Sequence, residues 1–324
     1  MKNIKIEFLR FVACILVVVY HFGHLAFVHN ITSYHIPFSQ YGFIGVYLFF
    51  VISGLVISYS IRKRTPLQFV KNRVVRLYPL YWLSVIFSAA IIYPLTGQVV
   101  SAYDFFSNMT MLQKVFGAPD LDGVYWTLFV ELIFYFFMFL LILFKLHKKW
   151  IIIVSAILLI TSKLFTLPNL LSSILIVNYL PFFMIGVVVS ENFRKDIDKK
   201  LVLLFFIIFS ILEIFNKSTS LSLSHDYSIN PYYSVIIFLL LLVFALSKLR
   251  MESSAFLNLG SYTYPLYLFH QNLGYYILSI VDITSYERFI FIILMIIFGL
   301  IFISSFLVKV ELNLSQRLER VLVI

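Results

Sequence analysis

The sequence predicts an all-α, polytopic membrane bundle of about ten transmembrane helices with both termini in the cytoplasm. Three observations carry that prediction. The 324 residues are 61% hydrophobic and only 12% charged, with a mean hydropathy of +0.97. Windows of about 20 residues, the length a helix needs to cross a bilayer, pick out apolar runs near 8–28, 41–60, 78–95, 124–144, 150–167, 171–190, 201–215, 232–247, 262–281 and 289–308. The basic residues between those runs then fall almost entirely on one side of the membrane.

Each element has its own justification. The run 8–28 is too long for the core of a signal peptide and lacks a small-residue cleavage site, so it reads as a retained anchor. The single cysteine, Cys14, lies within it and excludes an internal disulfide or a cysteine-based zinc site. After the 41–60 span, Pro66 suits the first turn of a short helix over 66–77. There Phe69, Val70, Val74 and Leu77 form an apolar side, and Arg73 and Arg76 stand three apart on a neighbouring stripe. That pattern fits an amphipathic helix at the cytoplasmic interface, preceding a span at 78–95. The segment 96–123 is long and acidic, with Asp104, Asp120 and Asp122, and is broken by Gly117, Pro119 and Gly123. Beyond the 124–144 span, a brief turn at Pro168-Asn169 separates the next two. The spans at 201–215 and 232–247 are short, and Gly260 and Pro265 loosen the one at 262–281. No internal repeat, linker or low-complexity tract divides the chain, so it reads as one domain, 1–324, with no appended soluble domain.

Charge orients the bundle. With ten spans and a cytoplasmic N-terminus, the inner segments collect Lys2, Lys5, Arg10, the 62–76 loop, Lys145, Lys148, Lys149, Arg194, Lys195, Lys199, Lys200, Lys248, Arg250, Lys309, Arg317 and Arg320. Of the 25 basic residues, only Lys114, Lys163, Lys217 and Arg288 fall elsewhere. The net charge of +10 is therefore a matter of topology and needs no nucleic-acid partner.

Ionisable side chains inside spans are costly, about 2.5–3.5 kcal/mol at mid-membrane on insertion scales, and usually face protein or water. Arg10 and His21 are eleven residues apart, almost three helical turns, so they share one face at roughly 16 Å separation. The pair alone admits two readings: a charge anchor with an interhelical hydrogen bond, or an anion site below an imidazole that exchanges protons near neutral pH. Glu131 enters from the other side and reaches roughly 10 Å below that surface, while His21 lies about 20 Å deep in a core about 30 Å thick. The two meet at one level. His270, in Ser261-Tyr-Thr-Tyr-Pro-Leu-Tyr267-Leu-Phe-His270, approaches the same region. A neutral imidazole oriented by a carboxylate can take a proton from an attacking hydroxyl. Arg73 and Arg76 read either as lipid-headgroup anchors or as a phosphate clamp. No phosphate-cradling glycine loop, nucleophile elbow or zinc spacing is present, which disfavours a covalent serine enzyme or a metalloenzyme.

Five motifs in order carry a resemblance. They are Glu7-Phe-Leu-Arg10 with ten residues to His21, Gly45-Val-Tyr-Leu-Phe-Phe-Val-Ile-Ser53-Gly54, Arg73-Val-Val-Arg76-Leu-Tyr-Pro79-Leu-Tyr-Trp82, Trp126-Thr-Leu-Phe-Val-Glu131, and the segment ending Tyr267-Leu-Phe-His270. With these the chain resembles the acyltransferase 3 family of multi-spanning membrane acyltransferases over nearly its whole length. The resemblance implies transfer of an acyl group, commonly acetyl from acetyl-CoA, to a hydroxyl of a cell-envelope polysaccharide or its lipid-linked precursor, in the cytoplasmic membrane and without a metal. It implies donor handling by Arg10, Arg73 and Arg76 and catalysis by His21, and Glu131 and His270 match recurrent positions. On the residues themselves, His21 either deprotonates the acceptor hydroxyl or relays the acyl group, with Glu131 orienting its ring, and Trp126, Tyr267 and His270 are expected on the substrate side. Thr127 stands where the family often has serine, which keeps the hydroxyl.

A reading from another class is a transporter or flippase for a lipid-linked glycan, since intramembrane charges also mark transport paths. The absence of an internal repeat counts against it. A third is a structural membrane subunit whose charges hold helices together.

Overall fold

In a computed structural model, the described residues are 3–165, 168–191, 198–224, 229–247, 249, 251 and 255–321, and every regular element among them is helical. Lys2, Arg194, Lys195, Lys248 and Arg250, counted above among the inner basic residues, lie outside the described residues. In chain order the helices are α1 (Ile4–Val28), α2 (Ile44–Ser60), α3 (Pro66–Leu95), α4 (Ala102–Met109), α5 (Tyr125–Leu143) and α6 (Lys149–Leu164). They continue with α7 (Asn169–Ile174), α8 (Leu180–Ser190), α9 (Lys199–Ser224), α10 (Pro231–Leu246), α11 (Ala255–Ile280) and α12 (Tyr286–Val321). Six are long and apolar enough to cross a membrane: α1, α2 with its preceding turn, α3, α5, α9 and α12. The chain is a multi-pass membrane protein.

Two expected boundaries differ. The interfacial helix 66–77 and the span at 78–95 are one continuous helix, α3, running through Pro79. Proline removes the N–H that would bind the carbonyl four residues earlier, which here belongs to Val75. That carbonyl instead accepts from the Ser315 hydroxyl at 2.8 Å, so the helix continues without an orphaned group. The expected span at 171–190 is interrupted. Residues 175–179 form turns, with Ile176 buried at φ 48°, a region that β-branched side chains rarely occupy. The helix that follows, α8, has 11 residues, about 16 Å.

The chain divides into two compact units, Met1–Gly45 with Lys71–Phe129 and Lys248–Ile324, and Val46–Val70 with Val130–Ser247. In the first unit, α1 packs along α11. Gly260 sits against Glu7, the Cys14 thiol points at the Thr263 carbonyl (3.6 Å), His21 meets His270, and Gly274 sits against Phe22. The paired positions rise together in number, so the two helices run parallel. Small residues at such a seam let backbones approach closely. The 96–123 segment is tied down by α3: Tyr78, Tyr81 and Trp82 donate to the carbonyls of Thr110, Asn108 and Met109 at 2.9, 2.7 and 2.9 Å. Irregular backbone is tolerated beside a membrane where protein groups satisfy it in this way.

In the second unit, α2 and α8 touch backbone to backbone. A Cβ on Gly54 would collide with the Phe183 carbonyl, and one on Gly186 with the Val51 carbonyl and the Leu55 amide. Stacked rings flank the seam, Tyr47 on Phe182 at 4.2 Å and Phe50 on Phe183 at 4.7 Å.

Candidate active site

The sequence places His21 at the end of α1's regular part, and there the helix widens into a π-turn, His21–Leu25. Such single-turn insertions shift side chains around the helix axis and recur at functional sites. Gly23 permits the next segment to fold back closely, with the Ile36 amide donating to its carbonyl at 2.9 Å. The His21 ring lies edge-on to that of His270, with centroids 4.8 Å apart.

The hydrogen bonds around this pair assign its protons. The Tyr267 carbonyl can only accept, so His270 Nδ1, 2.7 Å from it, carries a hydrogen. In a neutral ring His270 Nε2 is then a lone-pair nitrogen. It faces His21 Nδ1 at 3.2 Å, and His21 Nδ1 also lies 2.8 Å from the Val17 carbonyl. With both partners accepting, the hydrogen sits on His21 Nδ1, and in that tautomer Nε2 has the lone pair; the Gln271 side chain also hydrogen-bonds to the ring. Protonating both rings would set two positive charges side by side, so the pair holds at most one extra proton. A second contact, His24 Nδ1 to His35 Nε2 at 3.2 Å, lies one turn further on, with His24 stacked on Tyr20.

Toward the start of α1, Arg10 pairs with Glu7 at 3.8 Å, and Glu7 in turn packs on Gly260 of α11. Arg73 is 9% exposed, whereas Arg76 is half-buried. A side chain anchored to lipid headgroups needs a surface, so the burial of Arg73 favours a site enclosed by protein. Guanidinium forks at such a site are shaped for phosphate oxygens.

At the start of α5, the Thr127 hydroxyl donates to the Val124 carbonyl at 2.8 Å, which leaves the Tyr267 hydroxyl to donate to Thr127 Oγ1, also at 2.8 Å. Tyr267 thus braces the start of α5 against the turn that presents His270. Trp126 carries the Lys114 ammonium over its ring at 5.8 Å. Glu131 belongs to the second unit. There its Oε1 accepts from the Ser53 hydroxyl at 2.6 Å and from the Tyr135 hydroxyl, while the ring of His21 is oriented in the first unit by Val17 and His270. Arg10, His21, Arg73, Arg76, Trp126, Tyr267 and His270 all belong to the first unit.

Several relevant groups escaped the sequence reading. Asp122 is 2% exposed, and its two oxygens accept from the Val124 and Asn272 amides at 3.1 and 3.3 Å. Burial pushes this carboxyl up to about 7, with nearby Asp120 adding to the rise and the two amides opposing it. Nothing in a loop rich in Asp, Gly and Pro marks one aspartate as buried. Glu213, on α9, is held by Lys163 of α6, and Lys114 pairs with Asp120 at 3.9 Å, so two of the four basic residues outside the charge pattern have their own counter-ions. Among the described residues no three His, Cys, Asp or Glu side chains converge as metal ligands do.

Compared with known proteins, residues 3–308 match the family model described as an acyltransferase domain, that of acyltransferase 3. No curated protein and no solved structure matches the chain.

Proposed function

The chain belongs to the acyltransferase 3 family and is a membrane acyltransferase, and from that premise we propose that it moves an acetyl group from acetyl-CoA to a hydroxyl of a cell-envelope polysaccharide or its lipid-linked precursor. The donor enters from the cytoplasmic side, where the distribution of basic residues puts Arg10, Arg73 and Arg76, and these three arginines hold its phosphates. The membrane is the cytoplasmic one.

The observation that carries this reading is the hydrogen bonding of His21. With the hydrogen on Nδ1 shared between Val17 and His270, the Nε2 lone pair is the base that an acceptor hydroxyl needs. As that hydroxyl's oxygen attacks the thioester carbonyl carbon, its proton passes to His21 Nε2. The carbon–oxygen bond forms, the carbon–sulfur bond breaks, and the CoA thiolate leaves, taking the proton back from His21 as it becomes the free thiol. His270 steadies the imidazolium through the same shared hydrogen. Such general-base assistance is worth typically 10²–10⁴-fold in rate.

Purified protein in nanodiscs tests this directly. It should release CoA from acetyl-CoA when supplied with envelope polysaccharide that has been stripped of its acetyl groups by mild alkali, and acetyl should appear on the glycan by NMR. Protein that moves lipid-linked glycan across the bilayer but releases no CoA would overturn the assignment in favour of a flippase.

A further inference from the structure

In the first unit, the ends of α3 and α11 enclose a cleft of about 280 Å³ that the catalytic reading leaves unused. Its wall includes Tyr93, Thr96 and Gln98 from the end of α3 and the turn after it, and Asn272, Tyr275 and Tyr276 from α11. We propose that this cleft receives one sugar ring of the acceptor, and that Tyr275 positions the acceptor hydroxyl toward His21. The proposal rests on the acyl-transfer reading above.

Four observations support it. Among the described residues the lining carries no Lys, Arg, Asp or Glu, so it is unsuited to the phosphates of a CoA donor and suited to a neutral, hydroxylated ligand. Tyrosine faces offer flat apolar surfaces, and the Gln98 and Asn272 amides supply both donors and acceptors. Carbohydrate rings present those two chemistries together. The volume lies just below the roughly 300 Å³ at which pockets for drug-sized ligands begin, which fits a single ring. The wall is also held in place: the Asn272 amide group donates to the Leu121 carbonyl at 2.8 Å, and its backbone N–H to Asp122 at 3.3 Å.

The fourth observation links the cleft to the base. Tyr275 lines the cleft, and its ring centroid lies 6.2 Å from that of His21. Its hydroxyl is buried and has no hydrogen-bond partner among the described residues. Buried polar groups are nearly always satisfied, and a ligand hydroxyl in the cleft supplies the missing partner. Tyr275 is therefore a positioning residue: it holds the acceptor oxygen while His21 takes the proton.

Cysteine protection tests the site without turnover. Cys14 is buried, so a Gln98→Cys variant places the reactive thiol in the cleft wall. Oligosaccharides from the producing cells' envelope polysaccharide, de-O-acetylated with mild alkali, should slow its labelling by a methanethiosulfonate reagent, and acetyl-CoA alone should not. In kinetics, Tyr275→Phe keeps the ring and removes the hydroxyl. Its acceptor KM should rise about five- to tenfold, the scale of one hydrogen bond, with the KM for acetyl-CoA little changed. Protection by acetyl-CoA alone would make the cleft part of the donor site and sink the proposal. So would an absence of protection by either ligand together with an unaltered acceptor KM in Tyr275→Phe. Protection by the oligosaccharide without any CoA release would retain the cleft and overturn the acyl-transfer reading instead.

Discussion

The seam between α1 and α11 and the seam between α2 and α8 use the same device to opposite ends. Both bring helices together over glycine, Gly260 and Gly274 in the first case and Gly54 and Gly186 in the second. At the α2–α8 seam the space is filled by backbone and stacked aromatic rings. At the α1–α11 seam, close approach lets polar groups face one another: a histidine on a histidine and a thiol on a carbonyl. Close packing of helices thus joins backbone and rings in one unit and brings titratable side chains together in the other. Substitutions at the polar seam should therefore change turnover or pH response before they change folding, and substitutions at the dry seam should do the reverse.

The largest effect is expected at His21. His21→Ala should lower turnover about 10²–10⁴-fold while the protein is still inserted and monodisperse in detergent. His270→Gln should cost less, because it leaves the base in place and removes only the group that fixes its tautomer. The check is CoA release per folded molecule. A His21→Ala variant with wild-type glycan acetylation breaks the comparison at its root.

Next comes Asp122, which lies at the polar end of the first unit. Its carboxyl is carried from 3.8 to about 7 by burial, so the folded chain holds that proton up to about 4 kcal/mol more tightly than the unfolded chain. Between pH 4 and 7 the unfolded chain has lost the proton and the folded chain keeps it, so this group's contribution to stability falls as pH rises through that window and is level above it. Thermal unfolding in detergent from pH 4.5 to 8 should show that slope in the wild type, and Asp122→Asn should flatten it. Asparagine has one acceptor oxygen for two backbone amides, so the variant should also be less stable at the acid end.

The dry seam follows. Gly186→Leu forces a side chain into the Val51 carbonyl and the Leu55 amide, and overpacking of this kind costs about 1–3 kcal/mol. Melting temperature and yield should fall, with the activity of the surviving folded fraction close to wild type. Turnover lost in step with an unchanged melting temperature would mean that the second unit's packing is not merely cohesive.

What the sequence made legible, and what it did not, follows the same division. Arg10, His21 and His270 stood out because an ionisable group in an apolar run is rare and costly. Depth counting brought His21, Glu131 and His270 to one region of the membrane, but the direct contact between the His21 and His270 rings was not legible. The pairing of Thr127 with Tyr267 was not legible, because a hydroxyl costs little in a span and has many partners to choose from. Nor were the ties of Glu131 to Ser53 and Tyr135, since Ser53 lies 78 residues away in the chain. Hydropathy saw the 78–95 span but not its continuity with 66–77, because Pro79 reads as a break until Ser315 is known to satisfy Val75. It also missed the interruption at 175–179, where an unbroken apolar composition hides a left-handed Ile176. Composition registers the cost of burial. It does not register the partner that offsets it.

A smaller effect is expected at Arg73. Arg73→Lys keeps the charge but loses the planar fork, so the KM for acetyl-CoA should rise about tenfold, or 1.4 kcal/mol. The acceptor KM should hold. Equal donor binding in the lysine variant would return Arg73 to a purely electrostatic role.

The last substitution separates bracing from chemistry at the polar seam, where the effect on turnover itself is expected to be the smallest. The Thr127 hydroxyl gives its hydrogen to the Val124 carbonyl and receives one from Tyr267, so it joins the first turn of α5 to the turn below His270. Thr127→Val keeps the shape and removes both bonds, at a cost of about 1–3 kcal/mol. Thr127→Ser keeps both bonds and loses only a methyl group, so it should be nearly neutral. If the hydroxyl pair only braces the helices, Thr127→Val lowers the melting temperature and leaves the pH profile of turnover where it was. If it also holds Tyr267 so that its carbonyl fixes the His270 tautomer, the valine variant shifts that profile as well, because His21 loses the neighbour that shares its hydrogen. A pH profile that moves in Thr127→Val and is restored in Thr127→Ser would extend the proton-handling seam from α1 and α11 to the start of α5.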